Sequence, residues 1–335
     1  MDEENALKAF VLRSYGSADV LDLKDVDTPV PGDDEVLVRV RATSVQPYDW
    51  HIMRGEPYAA RLMGGGLLGL RRPKIDVLGA DMAGQVEAVG RNVTEFRPGD
   101  DVFALLKQGG LAEYACVGQD RLAPKPQNLS YEQAAAVPMA GISALLGLRD
   151  EGRLRPGQKV LINGASGGVG TFAVQIARAL GAEVTGVCST SKMSLVRSLG
   201  ADEVIDYSRE DFTRGGRRYD LLLDIAGGHS VSACRRVLTP KGAYVLIGGR
   251  AGRWLRPMSH MFTALAVSPF VSQRAAIVDA TRGVGNRENL ITLTGLIEAG
   301  KVTPVIDRGY PFEDTRTAVR YQEEGHAPGK VVITL

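Results

Sequence analysis

The chain has 335 residues, 44% hydrophobic and 24% charged, with 40 basic and 39 acidic side chains and a net charge of +1. That is the composition of a globular protein long enough for two domains. Near-neutrality removes the bulk electrostatic case for nucleic acid or an anionic membrane as a partner.

The N-terminal MDEENALKAF is acidic and has neither the basic-then-apolar order of a secretory signal nor the arginine-rich character of a transit peptide. The first ~125 residues then read as short strands. LKAFVL, DEVLVRVRATSV, DMAGQVEAVG and LAEYACVG run apolar or alternate between turns such as Pro31-Gly32-Asp33 and Pro98-Gly99-Asp100, which predicts a compact, irregular β domain. Residues 61–74, RLMGGGLLGLRRPK, have no period and read as a loop with the character of a lid.

The pattern changes after residue 125. Ser130 can cap a helix, and YEQAAAVPMAGISALLGLRD is helical apart from the break at Pro138. From Lys159 strands and helices alternate. VLIN is followed by Val169, Phe172, Ala173, Ile176, Ala177 and Leu180 on one helical face, and Gly181 ends that helix. EVTGVCS, DEVIDY, YDLLLDIA and GAYVLIG are further strands, with helices over SKMSLVRSLG and around Val231–Leu238. Strands this apolar, separated by helices, predict a parallel sheet covered on both faces. MFTALAVSPFV (Met261–Val271) is too short to span a bilayer and contains Pro269. The end is legible again: ITLTGLIEAG and EDTRTAVRYQEEG as helices, VTPVIDRGY and GKVVITL as strands.

The strand VLIN runs into Ala165-Ser166-Gly167-Gly168-Val169-Gly170 at the head of a helix. This is the spacing of the dinucleotide fingerprint, with alanine in its first position. Gly167 lets the backbone approach a pyrophosphate, Gly170 lets the helix pack on the strand, and the free N–H groups of the helix start favour phosphate charge. The end of the second strand, Val187-Cys188-Ser189-Thr190-Ser191-Lys192, offers hydroxyls and a lysine where an NAD site usually presents a carboxylate. That favours the 2′-phosphate of NADPH over NADH. Ser191 also reads as the cap of the next helix. Cys116, Cys188 and Cys234 form neither a disulfide framework nor a zinc pattern and read as small core residues in a reducing cytoplasm.

In their order and spacing, GSADVLDLKDVDTPVPGDDEVLVRVRATSVQPYDW, VLGADMAGQVEAVGRNVTEFRPGD, LAEYACV, AAAVPMAGISAL, the glycine loop, LVRSLGADEVIDY and GHAPGKVVITL resemble the zinc-independent, quinone oxidoreductase-like branch of the medium-chain dehydrogenase/reductases. The resemblance covers nearly the whole chain. It implies an α/β protein with a GroES-like β domain over residues 1–124, completed by 266–335, and a doubly wound parallel-sheet Rossmann domain for NADPH over 125–265. It also implies a homodimer. The positions at which zinc enzymes of the superfamily carry Cys, His and Cys are Gln46, Ala80 and Ala140 here, so no catalytic zinc is expected. Without a Lewis acid, quinones and α,β-unsaturated carbonyls are the easier hydride acceptors, because conjugation spreads the charge and hydrogen-bond donors stabilise it.

The resemblance also assigns residues. Gln46, Tyr48 and Tyr58 become candidate catalytic groups; the family more often has Asn at the place of Gln46, and the longer amide keeps the donor. Ser143 falls on a hydroxyl near the nicotinamide ribose or pyrophosphate. Lys192 and Tyr207 fall beside the 2′-phosphate with Ser189 and Thr190. Asp224 and the run Ile247-Gly248-Gly249 end strands at the nucleotide crevice, and Lys330, in the GKVV tail, reads as a further cofactor contact, with a strand-end surface lysine as the alternative. Asp49 reads as ordering the local backbone, and Asp81 as a buried hydrogen-bond anchor. Two alternatives stand beside the quinone or enone reductase: an enoyl-thioester reductase, and a non-catalytic NADPH-binding regulatory protein.

Overall fold

The computed structural model describes residues 6–62, 66–248, 263, 272–282 and 286–335. The expected cofactor contact at Gly249, most of the apolar run 261–271 and part of the lid-like loop 61–74 lie outside the described residues. The chain forms two units: Met1–Met139 with Thr281–Glu298 and Pro304–Leu335, and Ala140–Ala280 with Ala299–Thr303.

The first unit opens with β1 (Ala6–Leu12) and β2 (Leu21–Asp27), an antiparallel pair. The long strand β3 (Glu35–Val45) leads into α1 (Pro47–Arg54) and α2 (Tyr58–Leu62). β4 (Asp81–Val89), β5 (Asp101–Leu105), β6 (Tyr114–Gly118), β7 (Leu122–Pro124) and α3 (Tyr131–Ala135) follow. Ser130 caps α3 as expected, its hydroxyl accepting from the N–H of Gln133 while the Gln133 side chain accepts from the N–H of Ser130. Pro138 starts α4 (Pro138–Leu145), which runs into a π-helical turn over Leu146–Glu151.

The second unit alternates as its sequence predicts: β8 (Lys159–Asn163), α5 (Gly168–Ala179), β9 (Glu183–Cys188), α6 (Met193–Ser198), β10 (Glu203–Asp206), β11 (Tyr219–Asp224), α7 (Val231–Arg236), β12 (Leu238–Leu246) and β13 (Arg274–Ile277). These strands form one six-stranded parallel sheet in the order β10-β9-β8-β11-β12-β13. Its strands are apolar on both faces: Val160, Leu161, Ile162, Val184, Leu222, Leu223 and Val245 are all fully buried. The chain then returns to the first unit as α8 (Asn286–Glu298), β14 (Ile306–Pro311), α9 (Thr315–Glu323) and β15 (Lys330–Thr334).

In the first unit, β3 is the hub of a seven-stranded sheet ordered β14-β15-β3-β4-β5-β7, with β6 also on β3. Val36, Val38 and Val40 pack with Met82, Val102 and Leu122. A second cluster holds Phe10, Met53, Leu78, Phe312 and Val331, with Phe10 and Phe312 edge to face at 5.2 Å. The pairing of β15 with β3 sets Val331 against Val45 and so brings Lys330 beside Gln46.

Several elements depart from the sequence reading. β2, LDLKDVD, buries only Leu21 fully and carries three acids and a lysine, so its alternation is weak. α1 is not among the helices expected from the sequence; Pro47 at its first turn and Gly55 at φ +63 bound a helix of just eight residues. β12 begins at Leu238, within the segment expected to be helical.

Candidate functional site

The C-terminal ends of the parallel strands lie in register: Asn163 pairs with Val187 and with Asp224, Asp206 with Cys188, and Asp224 with Leu246. The sheet order reverses between β8 and β11, which is where open α/β sheets bind ligands. Across that switch point Asn163 Nδ2 donates to Asp224 Oδ1 at 2.7 Å and to the carbonyl of Gly227 at 3.0 Å. Gly227 N–H and the Tyr244 hydroxyl donate to the same Asp224 carboxylate. Asp224 is fully buried, so it fixes the loop after β11 rather than presenting its own surface. Ile247 N–H donates to the Asp224 carbonyl, and a Cβ on Gly248 would lie 2.8 Å from the Ile225 carbonyl oxygen, so the loops after β11 and β12 touch.

The glycine turn crosses the end of β9. Gly164, at φ +92, and Ala165 both donate their N–H groups to the Val187 carbonyl. Ala165 is fully buried and Ser166 nearly so. Gly170 has no room for a side chain: a Cβ would lie 2.1 Å from the Gly164 carbonyl oxygen. Gly167 is the opposite case, its nearest neighbour being that same oxygen at 3.7 Å. The N-cap of α5 is Gly167, which has no side chain to cap it, and among the described residues no other side chain caps it, so the N–H groups of Gly168, Val169 and Gly170 have the geometry of an open helix start. One glycine closes the packing and another leaves the face bare, as a pyrophosphate requires.

At the end of β9, Ser189, Thr190 and Lys192 stand on a 3₁₀ turn, with Ser189 and Ser191 hydroxyls 3.4 Å apart. The N-cap position of the following helix is Lys192 rather than Ser191, and it makes no side-chain cap bond among the described residues. The sequence reading missed a carboxylate here. Asp206, at the end of the neighbouring strand, accepts from the Thr190 hydroxyl and from Ser208 through its hydroxyl at 2.7 Å and its N–H at 3.0 Å. The hydroxyls of Thr190 and Ser208 hold its carboxyl below the usual range. The pairing of DEVID with the end of β9 was the available signal. Tyr207 is 61% exposed beside this turn. Ser143 is buried on α4. Burial pushes the thiol of Cys188 up to about 11 and that of Cys234 to about 12, which makes both unreactive packing groups.

The first unit holds a separate buried polar cluster. Lys330 and Asp81, with side chains 3% and 0% exposed, form an ion pair at 3.0 Å. Asp81 also accepts from Ser44 Oγ at 2.6 Å and from Met139 N–H at 2.8 Å, the anchoring role expected of it. The Lys330 ammonium donates to Gln46 Oε1 at 2.7 Å. Gln46 caps α1: its backbone N–H donates to Asp49 Oδ2 at 3.0 Å. Asp49 is fully buried, and Gln108 Nε2 reaches its other oxygen at 3.5 Å. Burial, then the charge of Asp81, pushes the Asp49 carboxyl up to about 7. Gln46 is 6% exposed, and its Nε2 has no hydrogen-bond partner among the described residues; a buried donor left unsatisfied costs about 1–3 kcal/mol.

Tyr48 packs half-buried against the Phe10 and Phe312 cluster. Tyr58 is elsewhere in the unit, where the Arg61 guanidinium lies 4.7 Å above its ring and 3.9 Å above that of Tyr15. Arg61 in turn donates to the carbonyls of Gly55 and Arg54. Gln46 and Lys330 are thus brought together, and Tyr58 belongs to a cation–π knot.

Residues 32–127 match the family model described as "Alcohol dehydrogenase GroES-like domain", and residues 199–333 that described as "Zinc-binding dehydrogenase". Among the described residues no cluster of His, Cys, Asp and Glu is arranged to hold a metal ion. The mouse NAD(P)H oxidoreductase RTN4IP1, mitochondrial, is 34% identical over 98% of this chain and 89% of its own length. The Arabidopsis thaliana chloroplast envelope quinone oxidoreductase homolog is 32% identical over 98% of both chains. The NADPH-dependent alkenal/one oxidoreductase of the same plant is 32% identical over 98% of this chain and 79% of its own. Among solved structures, the quinone oxidoreductase from Coxiella burnetii superposes with a TM-score of 0.85 at 28% identity, covering 98% of this chain and 99% of that one. The CurK enoyl reductase gives 0.86 at 28% identity with the same coverage.

Proposed function

Because the chain belongs to the quinone oxidoreductase-like family of the medium-chain dehydrogenase/reductases, we propose that it is an oxidoreductase that reduces quinones or α,β-unsaturated carbonyls with NADPH. The observation that carries the reading is the glycine turn at the switch point, closed at Gly170 and bare at Gly167. Its residues fit a dinucleotide. Within the turn Ala165 to Gly170, the backbone N–H groups of Ser166, Gly168, Val169 and Gly170 would take the pyrophosphate, while those of Ala165 and Gly167 brace the turn on the carbonyls of Val187 and Gly164. Ser189, Thr190, Lys192 and Tyr207 would surround the 2′-phosphate, and Ser143, Ile247 and Gly248 the nicotinamide half. The loop carrying Ile247 and Gly248 is held by Asp224 through the Ile247 N–H. NADPH supplies the hydride.

The chain's own work is placement and charge control. Addition of hydride to the electron-poor carbon moves an electron pair onto the acceptor oxygen, and a solvent proton completes the two-electron reduction. A donor set in low-dielectric surroundings stabilises that oxygen in the transition state, an effect worth about 10²–10³-fold in rate. Gln46, whose Nε2 has no partner among the described residues, and Tyr48 in the first turn of the helix that Gln46 precedes supply the donors in this reading. Gln46, Ala80 and Ala140 offer no zinc ligand set, which supports a metal-free reaction.

An enoyl-thioester reductase is the second reading, favoured by the likeness to the CurK enoyl reductase. Steady-state oxidation of NADPH against a 1,4-quinone, a 2-alkenal, a cyclic enone and a 2-enoyl thioester separates the two. The proposal expects the first three to be turned over well above the thioester. Turnover of the thioester alone would reverse the assignment, and tight NADPH binding without turnover of any acceptor would favour a binding protein.

A further inference from the structure

We infer that Lys330 is the positioning residue of the reduction, and that it fixes the polarity of the Gln46 carboxamide so that the NH₂ end is offered to the acceptor oxygen. The inference deepens the reading proposed above and rests on it.

An ammonium has three donors and no lone pair, so whichever amide atom faces Lys330 Nζ at 2.7 Å must be the carbonyl oxygen. A flipped amide would set two donors against each other. The ammonium is itself immobile: Asp81 pairs with it at 3.0 Å, and Asp81 is held by Ser44 and by the N–H of Met139. The backbone end of Gln46 is tied as well, through its N–H to Asp49. Both ends of the residue are therefore fixed, and the atom left over is Nε2, a donor without a partner among the described residues on a side chain that is 6% exposed. A positive charge on the oxygen side also draws electron density from the amide and strengthens its N–H as a donor. The atom count is complete without proton transfer at Gln46. Its Nε2–H donates a hydrogen bond to the oxygen that gains the electron pair, and the proton that finally resides on product comes from solvent.

The test uses the full-length protein. Gln46→Glu is nearly isosteric, keeps an oxygen toward Lys330 and deletes the donor. It is expected to lower kcat about 100-fold with the quinone or enone while leaving the Kd for NADPH within twofold. Lys330→Met alone would strand a buried Asp81, so the neutral pair K330M/D81N is the variant of choice. It is expected to lower kcat about tenfold in the wild-type background and to have no further effect when added to Gln46→Ala, because Lys330 acts only through the amide. A second readout does not need turnover: binding of 4-nitrophenolate, a stable oxyanion, in the presence of NADP⁺, followed by its absorbance. Wild type is expected to bind it at least 30-fold more tightly than Gln46→Glu. The inference is overturned if Gln46→Glu retains kcat within threefold, if the K330M/D81N effect adds in full to that of Gln46→Ala, or if phenolate binding ignores Gln46. Wild-type protein that turns over no acceptor yet binds phenolate through Gln46 would sink the proposed function and leave the placement of the amide standing.

Discussion

Asp49 gives a prediction whose size can be worked out. Its carboxyl is fully buried and sits in the field of Asp81, and these conditions push it up to about 7. The hydrogen bond it accepts from the Gln46 N–H at 3.0 Å, Lys330 and Gln108 act in the opposite direction but do not prevail. A carboxyl raised in the folded state holds its proton there over a range in which the unfolded chain has already lost it. Between the unfolded value of 3.8 and about 7 the native protein binds the extra proton, so stability falls as pH rises through that window and is level above it. A shift of roughly three pK units corresponds to at most about 4 kcal/mol, of which about 2–3 kcal/mol develops between pH 5 and pH 8. Asp49→Asn keeps an oxygen for the Gln46 N–H and cannot ionise. Urea unfolding of both proteins at pH 5 and pH 8, followed by tryptophan fluorescence, should show the variant gaining on wild type toward pH 8. An advantage that is independent of pH, or that grows toward acid, would refute the assignment of a proton to Asp49.

Three further outcomes follow from the same geometry. Gly170→Ala forces a methyl against the Gly164 carbonyl and should destabilise the fold by about 1–3 kcal/mol in the same urea assay. Gly167→Ala has space and an ordinary φ of −81, so it should cost less than ~1 kcal/mol of stability while weakening NADPH at least tenfold in a fluorescence titration. Asp206→Asn removes the carboxylate beside the Ser189 to Lys192 turn and should raise the NADPH-to-NADH ratio of kcat/KM several-fold, whereas Lys192→Ala should lower it. Steady-state kinetics with both cofactors decides each.

The parallel sheet was legible because its information is local. The six residues from Val169 to Leu180 repeat with helical period over one face, Gly181 follows at φ +80, and the helix α5 is where that pattern puts it. The glycine turn was legible for the same reason, since strand, turn and helix are consecutive. The polar cluster of the first unit was not. Lys330 stands 284 positions after Gln46 and 249 after Asp81, and it takes the pairing of β15 with β3, and of β3 with β4, to bring them together. Asp206 escaped because its strand is a separate one, and its nearness to Thr190 depends on the register of β10 with β9. The short helix α1 lacks a full apolar stripe, as only Asp49, Ile52 and Met53 are buried along it.

The central claim is hydride transfer from NADPH to a conjugated carbonyl without a metal. It is tested most directly by steady-state kinetics on chelator-treated, metal-analysed protein, with NADPH and NADH compared against one 1,4-quinone and one enone. The account predicts turnover that survives removal of metal, with kcat/KM for NADPH at least tenfold above that for NADH. Activity that appears only with stoichiometric zinc, or a preference for NADH, would contradict it.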